Sequence, residues 1–388
     1  MEWVEKKSSE LYVSSSGLSK SSDQFGYGYP FLSYKDVFNN YYAPDKLSTL
    51  VNSTEKDRMK CSVKQGDVFL TRTSETTDEL GMSCVALHDY VNATFNGFTK
   101  RLRPLTDEIE PKYAAYYFRS PYFRSQCISL ASLITRASLN DGMIRRLKIR
   151  YPLNRKVQEK IGEILYTYDT LIENNTKRIR LLEKMAENLY KEWFVRFRFP
   201  GHENVEMENG LPKGWKYVNF SNLSPILTGK KDANYASQNG KYKFFTCSKN
   251  DLVADNYSFD CFAIILAGNG DLNVKLYDGQ FEAYQRTYVL SPYDVEHIYV
   301  SYYTIQSELD RLLVGAAGAV IKFLTKGMIE KIKVLLPTND VLVRFNSIQE
   351  HNYRLRQNLK RQNSLLARQR DLLLPRLMSG KLEVKVKA

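Results

Sequence analysis

The stretch Asp141-Gly142-Met143-Ile144-Arg145-Arg146-Leu147-Lys148-Ile149-Arg150-Tyr151-Pro152 returns as Lys326-Gly327-Met328-Ile329-Glu330-Lys331-Ile332-Lys333-Val334-Leu335-Leu336-Pro337, a shift of 185 positions from Gly142 to Gly327. Each copy ends in a proline that opens a long helical pattern. One repetition at domain-sized spacing implies two similar modules, each followed by a helix; solenoid repeats recur every 20–50 residues or so. Two copies of one module on one chain suit a protein that reads two halves of one target.

Working outward from the first copy, residues 1–151 are rich in Tyr, Ser and Gly and carry short β-prone runs such as Asp67-Val68-Phe69-Leu70-Thr71, which predicts a β-containing domain. From Pro152 to about Phe197 apolar residues step by four and three, through Val157, Ile161, Ile164, Tyr168, Leu171, Leu182, Met185 and Leu189. That is a heptad seam of about 40 residues, roughly 60 Å of helix. Pro200-Gly201 breaks it, and Gly210-Leu211-Pro212-Lys213-Gly214-Trp215 opens a second β-containing domain with strands such as Phe262-Ala263-Ile264-Ile265-Leu266. After Pro337 a second helix is expected from about Asn339 to Leu374. Its stripe is Val341, Phe345, Ile348, Leu355, Leu359, Leu366 and Leu373, and it stops at Pro375 with Gly380 shortly after.

The expected organisation is therefore a domain at 1–151, a helix at 152–199, a second domain at 200–337, and a second helix with its tail at 338–388. The fold class is α+β, with two β-containing domains separated by two long helices. Each helix is too long for its own domain alone and exposes a seam, so the two are expected to pack on one another antiparallel, with the domains at opposite ends. In the seams Asn175 takes a position otherwise held by Ile161, Tyr168, Leu182 and Leu189, and Asn352 one otherwise held by Phe345, Leu359, Leu366 and Leu373. A lone polar residue in a heptad core lowers stability and fixes register, the role expected of both.

Composition narrows the partner. The 388 residues carry a net charge of +13 and an isoelectric point near 9.2, a balance that favours a polyanion such as nucleic acid. No apolar run is long enough to cross a bilayer and the N-terminal residues lack a signal peptide's apolar stretch, so a cytoplasmic protein without membrane contact is expected. Five scattered cysteines without a C-x-x-C, and four isolated histidines (His88, His202, His297, His351), give neither a disulfide framework nor a metal site.

The run Trp193-Phe194-Val195-Arg196-Phe197, the opening Leu211-Pro212-Lys213-Gly214-Trp215 and the ending Arg370-Asp371-Leu372-Leu373-Leu374-Pro375-Arg376-Leu377-Met378-Ser379-Gly380-Lys381 resemble the specificity subunit of type I restriction-modification enzymes over essentially the whole chain. The resemblance implies two target-recognition domains, each reading half of a split double-stranded DNA site, and two helices forming an antiparallel coiled coil that sets the unread spacer. It implies two methyltransferase subunits and two motor-nuclease subunits as partners, with S-adenosylmethionine, ATP and magnesium held there and no cofactor on this chain. The first domain departs from the pattern in lacking the Leu-Pro-x-Gly-Trp type of opening.

Candidate DNA contacts are loop residues able to donate to phosphates or base edges. In the first domain these are Ser19, Lys20, Tyr34, Lys35, Arg72, Lys100, Arg101, Thr135 and Arg136; in the second, Lys230, Lys231, Ser248, Lys249, Asn269 and Arg286, with the glycine-rich Gly315-Ala316-Ala317-Gly318 beside them. Arg72, Arg136 and Arg286 lead, because the guanidinium fork suits both guanine edges and phosphates. Catalytic motifs are missing from the sequence. There is no Asn-Pro-Pro-Tyr loop for a flipped adenine and no Gly-Lys-Ser/Thr for ATP, since Gly229-Lys230-Lys231 and Gly380-Lys381-Leu382 both fail the pattern. A non-catalytic recognition subunit is thus expected. The alternatives are the specificity subunit of another restriction type, a self-contained DNA methyltransferase or endonuclease, and a coiled-coil scaffold, which would leave the duplication and the basic charge without a purpose.

Overall fold

The computed structural model describes residues 2–76, 79–130, 132–133, 137–315 and 323–386. Two compact units emerge, one of Met1–Thr176 with Lys360–Ala388 and the other of Lys177–Leu359. The unit boundaries fall inside both long helices, so each unit holds one β-containing module together with a part of each helix.

The modules share one plan. In the first, strand Trp3–Lys7 pairs antiparallel with Lys148–Pro152, the strand formed by the end of the repeated stretch. In the second, Lys216–Asn219 pairs with Lys333–Leu336 in the same way. Both ribbons lead directly into a long helix. Just before each ribbon's last strand lies a short helix, Asp141–Arg146 or Lys326–Glu330, capped at equivalent positions: the Asn140 side chain accepts from the Met143 N–H, and the Thr325 side chain from the Met328 N–H. Such caps satisfy a first-turn donor that has no intrahelical partner.

The central sheets also correspond. The first orders strands Tyr12–Ser16, Thr99–Pro104, Val68–Thr71 and Ser83–Val85 side by side; the second orders Ile226–Thr228, Thr287–Leu290, Phe259–Ala267 and Val274–Ala283, then adds Tyr242–Phe245 and Leu252–Ala254. The first core gathers Val68, Leu70, Leu102, Tyr113, Tyr117 and Phe118 around the sheet, with Ile161 and Leu165 of the first helix and Leu374, Leu377 and Met378 of the second. The second gathers Trp215, Ile264, Leu266, Leu290 and Tyr303 with Tyr190, Trp193 and Phe194, and with Phe345 and Tyr353.

The first long helix spans Arg155–Tyr190 and closes with a π turn over Lys191–Val195; the second spans Asn339–Met378. The second helix therefore does not stop before Pro375. Pro375 lies within it, and the turn that follows stays helical because Leu374, Leu377 and Met378 are buried in the first core.

Both apolar seams differ from the expected ones by one residue along one row. The row Ile161, Tyr168, Asn175, Leu182 and Leu189 holds, but Leu171 and Met185 are exposed, and the companion row is Leu165, Ile172, Ile179 and Ala186. In the second helix Ile348 is exposed, and Gln349, Arg356, Asn363 and Arg370 take the companion places. These polar side chains reach the first helix. In the first unit, Arg370 pairs with Asp169, Asn363 donates to the Ile172 carbonyl at 3.3 Å and to the Thr176 hydroxyl at 3.2 Å, and Asn175 donates to the Gln362 side chain at 3.4 Å. In the second, Asn352 donates to the Leu182 carbonyl at 3.0 Å, Gln349 to the Ala186 carbonyl at 3.2 Å, and Arg356 lies 3.7 Å from Glu183. Within each unit, partners climb one helix as they descend the other, so the pairing is antiparallel.

Asn175 and Asn352 are thus buried at 8% and 7% exposure, each the one amide in its own row and each set beside the polar companion row of the second helix. Asn352 Oδ1 has no hydrogen-bond partner among the described residues, and a buried orphan of this kind costs about 1–3 kcal/mol. Asn352→Leu is expected to raise the melting temperature, while Ile161→Ala, at a fully buried site, is expected to cost about 2–5 kcal/mol. Thermal and denaturant unfolding of the two variants check both signs.

Candidate nucleic-acid interface

The loop ends of the two central sheets are built by matching backbone hydrogen bonds. In the first module Leu18 bridges Asn96 in parallel, and the Gly97 N–H donates to the Leu18 carbonyl at 2.9 Å. In the second Lys231 bridges Tyr284, and the Gln285 N–H donates to the Lys231 carbonyl at 2.9 Å. A tight turn follows in each, closed by Thr99 N–H to Asn96 carbonyl at 3.0 Å and by Thr287 N–H to Tyr284 carbonyl at 2.8 Å. The tip residue then accepts from the neighbouring strand end: Phe98 from the Arg72 N–H at 3.1 Å, Arg286 from the Gly268 N–H at 2.9 Å. Finally Arg72 accepts from Leu139 at 2.8 Å, and Gly268 from Leu324 at 2.7 Å. Leu139 and Leu324 are again 185 positions apart.

The turns demand glycine at Gly17 and Gly229. A Cβ on Gly17 would lie 2.2 Å from the Asn96 carbonyl oxygen, and one on Gly229 would lie 1.9 Å from that of Ala283. The loop that carries Lys230 and Lys231 can therefore leave its strand only where no side chain intervenes.

A family description, type I restriction modification DNA specificity domain, matches residues 2–184. The chain is similar to the type I restriction enzyme EcoDI specificity subunit of Escherichia coli, at 38% identity over 128 residues, covering 33% of this chain and 29% of that protein. It is also similar to the MjaIX specificity subunit of Methanocaldococcus jannaschii, at 24% identity over 415 residues, covering 99% of this chain and 94% of the relative. The first half of the chain thus matches the type I specificity-domain family, and similarity to type I specificity subunits runs along nearly its whole length. Its fold resembles the crystal structure of the S subunit of a type I system from M. genitalium, with a TM-score of 0.62 at 14% identity, over 100% of this chain and 97% of that one.

Within this chain the predicted contacts fall into three groups. Exposed are Ser19, on a loop, and Lys35, in the short helix Tyr34–Asn39, in the first module, and Lys230, Ser248, Lys249 and Arg286 on loops of the second. The Arg286 guanidinium makes no hydrogen bond or ion pair among the described residues. Partly engaged are Lys20, 3.1 Å from Asp57; Tyr34, whose hydroxyl donates to the Thr73 carbonyl at 3.0 Å; and Lys231, its ammonium 4.3 Å from the Tyr235 ring centre, while Arg72 and Asn269 are half-buried. Thr135, Arg136 and residues 316–318 lie outside the described residues.

Lys100 and Arg101 form the third group and are a correction. They sit in the strand Thr99–Pro104, whose first four residues are all buried, and are 3% and 7% exposed. The Lys100 ammonium donates to Asp141 at 2.8 Å and to the Ser16 hydroxyl at 2.8 Å. Arg101 donates to the Ser62 carbonyl at 2.6 Å and stands over the Phe95 ring. Such buried cations are spent on internal partners and do not face a phosphate. Sequence reasoning in turn passed over Phe98 and Thr73. These occupy the places of Arg286 and Asn269, which only an alignment of the two modules by backbone partners shows.

Among the described residues no cluster could hold a metal ion, and no helix is long and apolar enough to cross a membrane. Three cysteines, Cys61, Cys84 and Cys127, are buried; burial raises all three thiols, Cys127 to about 12.

The Lys100 ammonium, with help from the Ser14 hydroxyl, holds the Asp141 carboxyl below its ordinary range. A carboxyl lowered on folding stabilises above its unfolded pKa of about 3.9, and that gain is lost as pH falls through the folded value. Asp141→Asn should therefore melt below the wild type near pH 7, with the gap closing as pH drops below about 4. A gap that persists at pH 2.5 would contradict this account of the Lys100 pair.

Proposed function

We infer that this chain reads DNA sequence for a type I restriction-modification complex, each module gripping one half of a two-part site. The observation that carries the reading is the repeated backbone frame: both modules hold a loop tip by the same set of hydrogen bonds but present different exposed side chains on it. One frame with different readers suits a split, asymmetric target. The net charge of +13 supports a duplex partner, since cations near phosphates release condensed counterions.

The protein works in a complex with other subunits. We place two methyltransferase subunits and two motor-nuclease subunits in that complex, and assign S-adenosylmethionine, ATP and magnesium to them. The mechanism on this chain is positioning: specific grip on a half-site presents the target base for extrusion by the neighbouring methyltransferase. The polar seam of the helix pair fits a role for Asn175 and Asn352 in register, because amides that must find particular carbonyls disfavour a slipped pairing.

Replacing residues 1–150 by the matching module of a relative is expected to change one half-site and leave the other intact. Methylome sequencing of cells carrying the chimera with its partner genes reads both halves at once, and a change in both, or in neither, would sink the modular reading. For the full chain on duplex DNA, the log of affinity should fall linearly with log salt, with a slope of about −0.9 per phosphate neutralised. Lys230→Ala or Lys249→Ala should flatten that slope, whereas Lys100→Ala should lower thermal stability and leave the slope alone.

A further inference from the structure

We propose that Phe98 with Thr73, and Arg286 with Asn269, are the same base-reading position in the two modules, set for a thymine methyl in one half-site and a purine major-groove edge in the other. The proposal rests on the DNA-reading function above and adds to it which side chains read, and which kind of base.

Equivalence comes from backbone partners and not from residue similarity. The strand leading to each tip enters by a parallel pairing, Leu32 beside Phe95 in one module and Phe245 beside Ala283 in the other. Directly after, the Asn96 N–H donates to the Leu32 carbonyl at 3.1 Å, and the Tyr284 N–H to the Phe245 carbonyl at 2.9 Å. Two residues further on stand Phe98 and Arg286. Beyond the turn, Thr71 faces Thr99 and Ala267 faces Thr287 across their antiparallel pairs. Two residues past Thr71 is Thr73; two past Ala267 is Asn269. Thr73 pairs with Ser138 and Asn269 with Phe323, positions again separated by 185. The side chains two residues past Leu32 and Phe245 each brace one member of the pair, the Tyr34 hydroxyl donating to the Thr73 carbonyl at 3.0 Å and the Cys247 thiol to the Arg286 carbonyl at 3.4 Å.

The chemistry of the two pairs differs in one respect. Phe98 is 56% exposed on a tip whose turn is pinned by its own N–H on the Asn96 side chain at 2.7 Å, and with Tyr34, Thr73 and Glu79 it lines a cavity of about 290 Å³. Phenyl and threonine methyl surfaces offer no donor for a guanine edge. They suit the C5 methyl of thymine, the one apolar group in the major groove. Arg286 and Asn269 offer donors instead: arginine bridges O6 and N7 of guanine, and asparagine pairs with N6 and N7 of adenine. A held backbone and a variable tip are what a reader needs to change its letter without moving.

The test selects duplexes from a random pool with the full chain co-purified with its methyltransferase partner, for wild type, Phe98→Ala, Phe98→Arg and Arg286→Ala. Wild type should select a two-part site with a thymine in one half and a guanine in the other. Phe98→Ala should relax one position of one half-site, and Phe98→Arg should turn that position toward guanine. Arg286→Ala should lose roughly 5- to 150-fold of discrimination at one position of the other half, the range of a bidentate contact. The unaltered half-site in each selection shows that the variant is folded. On the wild-type site, uracil in place of the read thymine should weaken binding about fourfold, as expected for one methyl withdrawn from contact, and should have no effect on Phe98→Ala. Variants that select the wild-type site unchanged at every position overturn the assignment while leaving the DNA-reading function standing. A wild-type chain that selects no sequence overturns both.

Discussion

Each module is closed by pairing its first strand with its last, and the remaining architecture follows from that ribbon. Trp3–Lys7 against Lys148–Pro152, and Lys216–Asn219 against Lys333–Leu336, bring the two ends of each module side by side and hand the chain directly to a helix. Because the ribbon's last strand is the end of the repeated stretch, the capped short helix, the strand and the helix start keep one geometry in both halves. The central sheet is then suspended from a fixed base, and its loops are the part left to vary.

The helix pair adds a second constraint of a different kind. Its seam mixes leucine and isoleucine with amides and arginines that reach carbonyls or carboxylates on the facing helix. Several polar atoms there, among them Asn352 Oδ1, Asn363 Oδ1 and Arg356 Nε, have no partner among the described residues. An apolar seam would be more stable and less particular, since leucine packs against leucine in more than one register. Arg370 and Asp169 illustrate the point: Asp169 also accepts from the Tyr116 hydroxyl at 2.5 Å, so the pair ties the second helix to the module that the first helix follows.

Much of this was legible in the chain. The repeated stretch, the two helices, strands such as Val68–Thr71 and Phe259–Ala267, and the basic balance all follow from patterns of residue type. The seam was legible in one row only, because Ile164 and Leu165, Leu171 and Ile172, and Met185 and Ala186 are apolar neighbours, and steps of three and four fit equally well. In the second helix the companion row is polar, so no hydrophobic periodicity marks it. Lys100 and Arg101 read as surface residues because residue type gives no sign that both faces of their strand are covered. Phe98 was invisible for the opposite reason: a phenylalanine before a strand reads as core, and only its backbone partners place it at a tip.

The separation between frame and tip bears on how such a protein changes over generations. Phe98 and Arg286 lie outside the buried clusters, and, beside the Asn96 side chain on the Phe98 N–H and the Cys247 thiol on the Arg286 carbonyl, the hydrogen bonds that hold them use only their own main-chain atoms. Exchanges at such exposed positions generally alter stability by no more than about 0.5 kcal/mol, whereas the glycines and caps beneath them tolerate little. Mutation can therefore explore tip residues almost freely while purifying selection guards the scaffold, and a lineage can acquire new preferences by single steps without passing through an unfolded ancestor.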